Sequence, residues 1–211
     1  MARDIYVVAH TQSRHHVEGL SGGWYDTELT ELGRRQAEAV AGGLVGLVGE
    51  AGPVEIYASD LLRAAQTADP ISRRLGTPAI LWKDLRERNY GEAGGKPLAW
   101  AEARRVPAPS DGTRLDHRDG IEGVESMRRF VTRIYRAMGR VVASRCGTQI
   151  IVTHGFAMTY VVAAWIRMPL EATAWVNFRS SPGGITHLRE DDLHLNRNVM
   201  RLNDTAHLAG A

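Results

Sequence analysis

The run Ile5-Tyr6-Val7-Val8-Ala9, closed by His10, constrains this chain more than any other stretch. A short apolar run that stops at a polar loop has the pattern of a strand buried on both faces, as in a parallel sheet. Such a sheet needs covering layers on both sides, and ligands collect beyond the carboxyl ends of its strands. His10 falls at such an end. Two readings are open from this stretch alone: a satisfied structural histidine, or a side chain placed where chemistry occurs.

The design returns near the other end of the chain. Ile150, Ile151 and Val152 lead through Thr153 to His154 and Gly155. Between the two runs, residues 54–58 predict a second strand and residues 79–82 a third. Helices are expected between them. The first opens at Thr30 as N-cap, with Glu31 in its first turn and Leu32, Ala37, Val40, Ala41, Leu44 and Val48 at helical spacing, and stops at Gly49 and Gly52-Pro53. The next is capped by Ser59 or Asp60, runs to about Leu75 and ends at Gly76. Two more are expected over residues 126–144 and 156–166. Residues 13–26 read as a loop. One or two late strands, joined through Gly183-Gly184, are expected in the tail from Trp175 to His207.

This alternation predicts an α/β fold: a three-layer sandwich with a mostly parallel central sheet, helices on both faces, and an insertion over the carboxyl-end rim of the strands. Periodicity fades over residues 84–123, where Gly, charges, Pro107 and Pro109 accumulate and one short helix near residues 98–105 is expected. A long irregular insertion of this kind reads as a lid or binding loop. The length of 211 residues suits one domain, 1–211, carrying that insertion.

Composition removes several function classes. Net charge is only +2 and the basic residues are scattered, so no nucleic-acid-binding stripe is expected. Lys83, Arg86 and Arg88 form one small basic group, suited to a phosphate or carboxylate. Cys146 is the only cysteine, which excludes an intrachain disulfide, and no Cys/His set has zinc spacing, so neither metal nor cofactor is expected. No apolar stretch approaches the roughly 18 residues of a membrane span, and no charged-then-apolar leader precedes the first strand. The expectation is a cytoplasmic protein without a membrane partner. Asp116 and His117 are expected to be solvated, and the five Trp to serve packing.

If these strands share one parallel sheet, His10, His154 and Arg63 converge on one rim. Arginine and helix N-termini favour a phosphoryl group, and a neutral imidazole attacks phosphorus. The residues therefore suggest phosphoryl chemistry on their own.

They also carry a resemblance. Ala9-His10-Thr11, the stretch from Gly23 to Gly33 with Gln36-Ala37, Ser59-Asp60-Leu61-Leu62-Arg63-Ala64-Ala65-Gln66-Thr67-Ala68, Leu85-Arg86-Glu87-Arg88, Val152-Thr153-His154-Gly155 and Asn203-Asp204-Thr205-Ala206-His207-Leu208 follow in the order of the histidine phosphatase, or phosphoglycerate mutase-like, superfamily. The resemblance implies four catalytic residues. His10 would be the nucleophile that becomes phosphohistidine. Arg63 and His154 would hold the phosphoryl oxygens, and Glu87 would serve as general acid and then base. Glu87 read without the motif is a loop carboxylate paired with Arg86 or Arg88. Arg88 and Tyr90 are expected to contact substrate.

The hallmark of that family is Arg-His-Gly, and here Ala9 and Thr11 flank the nucleophile instead. Loss of one such donor is worth ~2–4 kcal/mol by analogy with an oxyanion donor. Threonine resists the left-handed backbone that glycine permits, so the loop is expected to take its own path. Gln12, Arg14, His15 and His16 follow directly. His16 is the favoured compensator, and these four, with Gly155, complete the expected phosphate site. The resulting expectation is a metal-independent phosphatase acting on a small phosphorylated metabolite, with a homodimer implied only by the family. The modest length and the ending at residues 203–208 favour phosphatase over mutase. Two alternatives are a repurposed pocket doing acid/base chemistry on an unphosphorylated substrate, and a non-catalytic ligand-binding protein.

Overall fold

A computed structural model describes residues 3–49, 52–110 and 112–210. Its centre is a six-stranded sheet of order β3-β2-β4-β1-β5-β6, formed by β1 (Arg3–Ala9), β2 (Val54–Ala58), β3 (Ala79–Leu81), β4 (Thr148–Thr153), β5 (Ile185–Glu190) and β6 (Arg197–Asp204). β3, β2, β4 and β1 are mutually parallel, and β5 runs antiparallel to both β1 and β6. The sheet is thus mostly parallel, as the alternation of strands and helices predicts.

Strand alternation sends successive β1 side chains to opposite layers. Ile5 and Val7 join a core with α5 (Met127–Ala143) and α6 (Gly155–Trp165). Tyr6 and Val8 join the opposite core with α2 (Glu31–Val48) and α3 (Leu62–Leu75). β4 is buried along its whole length, which explains its unbroken apolar pattern. α6 is apolar almost all round because it too is buried.

Caps fix the helix starts. Thr30 accepts from the Gly33 amide at 3.0 Å, and Ser126 accepts from the Arg129 amide at 3.3 Å. α3 differs from expectation: its N-cap is Leu61, not Ser59 or Asp60. The cap comes from elsewhere in the chain, since Asp26 Oδ1 accepts the Leu62 amide at 2.8 Å. Asp60 instead makes a two-pronged ion pair with Arg86, at 2.6 and 2.7 Å. A short helix, α1 (Arg14–Val17), lies within the segment expected to be loop. Gly183 and Gly184 precede β5; the link between β5 and β6 is the turn at residues 191–196, held by Asp191 carboxylate bonds to the amides of Leu193, His194 and Asn196.

The insertion holds α4 (Leu98–Glu102) and several single 3-10 turns. It has its own small core of Ala93, Ala101, Ile121 and Val124. Among the described residues, no helix is long and apolar enough to cross a membrane.

Candidate active site

Register assembles the site. Ala9 pairs with Thr153 across neighbouring parallel strands, so His10 and His154 leave the sheet side by side. Their ring centroids are 5.1 Å apart. β2 ends one strand further on, and its following residue, Ser59, meets His154: Ser59 Oγ lies 2.8 Å from His154 Nε2. Arg63 enters from the first turn of α3.

His10 is held in one tautomer. Its Nδ1 lies 2.8 Å from the Thr11 carbonyl, which only accepts, so Nδ1 carries the proton. Nε2 keeps its lone pair, and the Arg63 Nε–H donates to it at 3.2 Å. Burial, the adjacent Arg63 and His16 push the imidazole well below its ordinary pKa. The ring is therefore neutral and nucleophilic at Nε2 near neutral pH.

Arg63 is 1 % exposed, and its guanidinium also donates to the Tyr25 carbonyl at 3.0 Å and the Gly23 carbonyl at 2.7 Å. Among the described residues it has no carboxylate within ion-pair distance. A buried cation held only by neutral acceptors is a costly arrangement that an incoming anion relieves. His154 adds a second sign of the same kind. Its Nδ1 is buried without a hydrogen-bond partner among the described residues, which costs ~1–3 kcal/mol until a ligand pairs with it.

Glu87 completes the set. Its Oε1 accepts the Arg88 amide at 2.8 Å, and its Oε2 accepts the Phe156 amide, one residue inside α6, at 2.9 Å. Burial pushes its carboxyl up despite those donors and the nearby Arg63 and Arg133. A carboxyl raised in this way is suited to holding a proton for transfer. The loop carrying it is stapled from behind: Arg133 of α5 donates to the carbonyls of Asp84, Arg86 and Glu87 while gripping Glu125 with both prongs. Trp24 Nε1 also donates to the Glu87 carbonyl, at 2.7 Å.

His15 and His16 arrive through α1. The His16 ring lies parallel to His10 with centroids 5.3 Å apart, and His15 lies 5.8 Å from His10. His15 is buried, with Nδ1 near Ser13 Oγ and Thr27 Oγ1, and burial beside His16 and Arg63 brings it down to about 3. His10, His15 and His16 each offer a ring nitrogen within 4.8 Å of the others. The Arg63 guanidinium directly against His10 makes this cluster a better fit for an anion than for a cation.

The remaining expected residues fall elsewhere. Arg14 is exposed and pairs with Glu28 and Glu18 on the surface. Gln12 Oε1 accepts from the Thr30 hydroxyl at 2.7 Å, tying the loop to α2. Arg88 is buried against Asp119 at 2.9 and 3.1 Å, so its charge is already matched. Arg88 and Tyr90, expected to contact substrate, line a cavity of about 420 Å³ beside Glu87, together with His117, which bonds to the Val106 carbonyl rather than standing in solvent. Asp116 is exposed and paired with Arg128. Gly155 is the first residue of α6.

Thr11 departs from its expectation. It is not among the non-glycine residues with positive φ, which are Arg167, Leu195 and Asn203 among the described ones, so the loop needs no glycine there. The side chain is an anchor: Thr11 Oγ1 donates to the Gly33 carbonyl at 2.8 Å, and the Thr11 amide donates to Thr67 Oγ1 at 3.2 Å. Sequence reasoning missed Thr67, Ser59 as a partner of His154, Trp24 and Arg133. Of these, Ser59 follows a strand end, and Trp24 and Thr67 fall within the motif stretches, while Arg133 had no signal.

Known proteins resemble this chain over most of its length. Residues 5–205 match the model of a family described as the histidine phosphatase superfamily (branch 1). The metal-independent phosphoserine phosphatase of Arabidopsis thaliana is 28% identical over 192 residues, covering 89% of this chain and 77% of that protein. Glucosyl-3-phosphoglycerate phosphatase of Mycobacterium tuberculosis is 30% identical over 182 residues, 80% of this chain and 78% of that one. A solved structure of a mycobacterial glucosyl-3-phosphoglycerate phosphatase superposes with a TM-score of 0.77 at 26% identity, covering 97% of this chain and all (100%) of that chain.

Proposed function

The chain belongs to the histidine phosphatase superfamily, and from that premise we propose that it is a metal-independent phosphatase that hydrolyses a small phosphorylated metabolite through a phosphohistidine at His10. Relatives named as phosphatases support the hydrolase class. The observation that carries the residue-level reading is the buried Arg63 with no ion-pair partner among the described residues and its Nε–H on His10 Nε2.

In the proposed cycle, His10 Nε2 attacks phosphorus as the bond to the leaving oxygen breaks. Glu87 gives that oxygen its proton. The Arg63 Nε–H passes from His10 to a phosphoryl oxygen, and His154 Nδ1–H donates to another. Water then attacks phosphorus, Glu87 takes its proton, and the phosphorus–nitrogen bond breaks to return neutral His10 and inorganic phosphate. Most of the stabilisation is electrostatic preorganisation. Ala9 supplies no charge where the family hallmark has arginine; His16, parallel to His10, takes that place as a donor to the phosphoryl group.

The test is rapid-quench trapping at alkaline pH with a panel of phosphomonoesters, in the presence of a chelator, followed by mass mapping. A phosphoryl adduct on His10 in wild type, absent in His10→Ala, is expected, with loss of turnover in that variant. Wild-type turnover by His10→Ala would overturn the reading, as would turnover without any adduct. In the Glu87→Gln variant the adduct is expected to persist longer, because the water step loses its base.

A further inference from the structure

The cavity beside Glu87 says what kind of leaving group the site takes. Both amides that hold the Glu87 carboxylate, those of Arg88 and Phe156, belong to residues lining this cavity. The cavity thus adjoins the loop and the helix end that hold Glu87, a position from which it can receive the substituent of a leaving oxygen. At about 420 Å³ the cavity has room for a substituent well beyond a two- or three-carbon chain.

Part of its wall is aromatic. Tyr90, Phe156, Tyr160 and Trp175 all line it. Trp175 is 58% exposed although Arg114 covers one ring face at 4.5 Å, so an indole surface remains open toward the cavity. Its charge is unbalanced. Among the described residues Asp119 is the only carboxylate in the lining, and Arg88 already holds both of its oxygens. Arg105 reaches Asp119 only at 3.5 Å and is half exposed, while Arg114 is bound to the carbonyls of Ala174 and Pro109. Among the described residues, two guanidinium groups thus retain donors for a ligand anion.

Building on the phosphatase reading above, we propose that the cavity is the leaving-group site and that it selects phosphomonoesters whose alcohol carries a planar ring bearing a carboxylate or similar anion. The ring stacks on Trp175 and the anion meets Arg105 and Arg114. The substrates named for the relatives, phosphoserine and glucosyl-3-phosphoglycerate, carry no planar ring.

Three esters of ordinary alkyl alcohols separate ring from charge without changing leaving-group chemistry: para-carboxybenzyl phosphate, benzyl phosphate and glycerol phosphate. In wild type kcat/KM is expected to fall in that order. The para-carboxybenzyl to glycerol ratio is expected to drop ~10-fold in Trp175→Ala and ~10-fold in Arg105→Met, the scale of one aromatic contact and one charge-assisted hydrogen bond. Calorimetric titration with para-(hydroxymethyl)benzoate reads the cavity without any chemistry. Binding of this acid, weakened in both variants, with no ester hydrolysed, would keep the cavity assignment and sink the phosphatase reading. Hydrolysis of all three esters at equal kcat/KM, with no binding of the acid, would overturn the cavity assignment and leave the phosphatase reading intact.

Discussion

Replacing Arg133 by Met tests whether a residue outside the reacting set holds Glu87 in place. Arg133 is 7% and Glu125 8% exposed, and two bonds of 2.9 Å join them. Three further bonds of 2.9, 2.6 and 2.7 Å run from Arg133 to the carbonyls of Asp84, Arg86 and Glu87. Removing the guanidinium strands a buried carboxylate, a loss of ~3–5 kcal/mol. Against a typical stability of ~5–15 kcal/mol this is large. With a urea slope of ~2 kcal/mol/M, the midpoint falls by ~2 M.

Adding Glu125→Leu removes the stranded charge, so Arg133→Met/Glu125→Leu is expected to recover at least half of the lost midpoint. The three carbonyl bonds stay lost in both variants. Glu87 is then loosely placed, and a misplacement of ~1 Å in a catalytic group costs ~10²-fold in rate. The assay pairs urea denaturation with kcat on the best ester of the panel. A midpoint shift under ~0.5 M in the single variant, which at that slope is only ~1 kcal/mol, would refute the ion-pair argument. A double variant that regained wild-type kcat together with stability would refute the positioning role.

Two other perturbations address the loop around His10. His15 is brought down from 6.5 to about 3 in the folded chain, so the unfolded chain takes up its proton first as pH falls. Its contribution to stability is present above pH 6.5 and is lost through the window down to about 3, at a slope approaching ~1.4 kcal/mol per pH unit; denaturation series at several pH values should give a flatter profile for His15→Asn, and an unchanged slope would contradict the buried neutral ring. A Cβ on Gly33 would lie 1.8 Å from the Gln12 carbonyl oxygen. Gly33→Ala is therefore expected to push the loop of Thr11 and Gln12 off α2, with a stability loss of ~1–3 kcal/mol or more and a fall in kcat, while wild-type melting and turnover would show that the contact relaxes freely.

How much of this was legible in the chain follows from the range of each interaction. Strand-end histidines, the Thr30 and Ser126 caps and the helix faces are set by residues within a turn or two of one another, and the pattern exposes them. The motif order similarly marked His10, Arg63, Glu87 and His154. Arg14 and Gln12 show the limit, because adjacency to the nucleophile in sequence says nothing of direction: α1 turns Arg14 to the surface, and Gln12 goes to α2. The cap of α3 was misplaced for the same reason, since Asp26 is 36 residues away from the amide it accepts.

The sequence by itself determined the layered sheet, the two histidines at its rim and the family to which they belong, because periodicity and local motifs encode those directly. Tertiary structure alone decided the rest. Only folding brings Arg133 under the Glu87 loop, ties Thr11 to Gly33 and Thr67, stacks His16 on His10, leaves Arg63 buried beside the lone pair of His10, and opens an arginine- and ring-lined cavity next to the acid. Each depends on burial and on contacts between distant segments. The same side chains in an unfolded chain would be solvated, unpaired and at their ordinary pKa values.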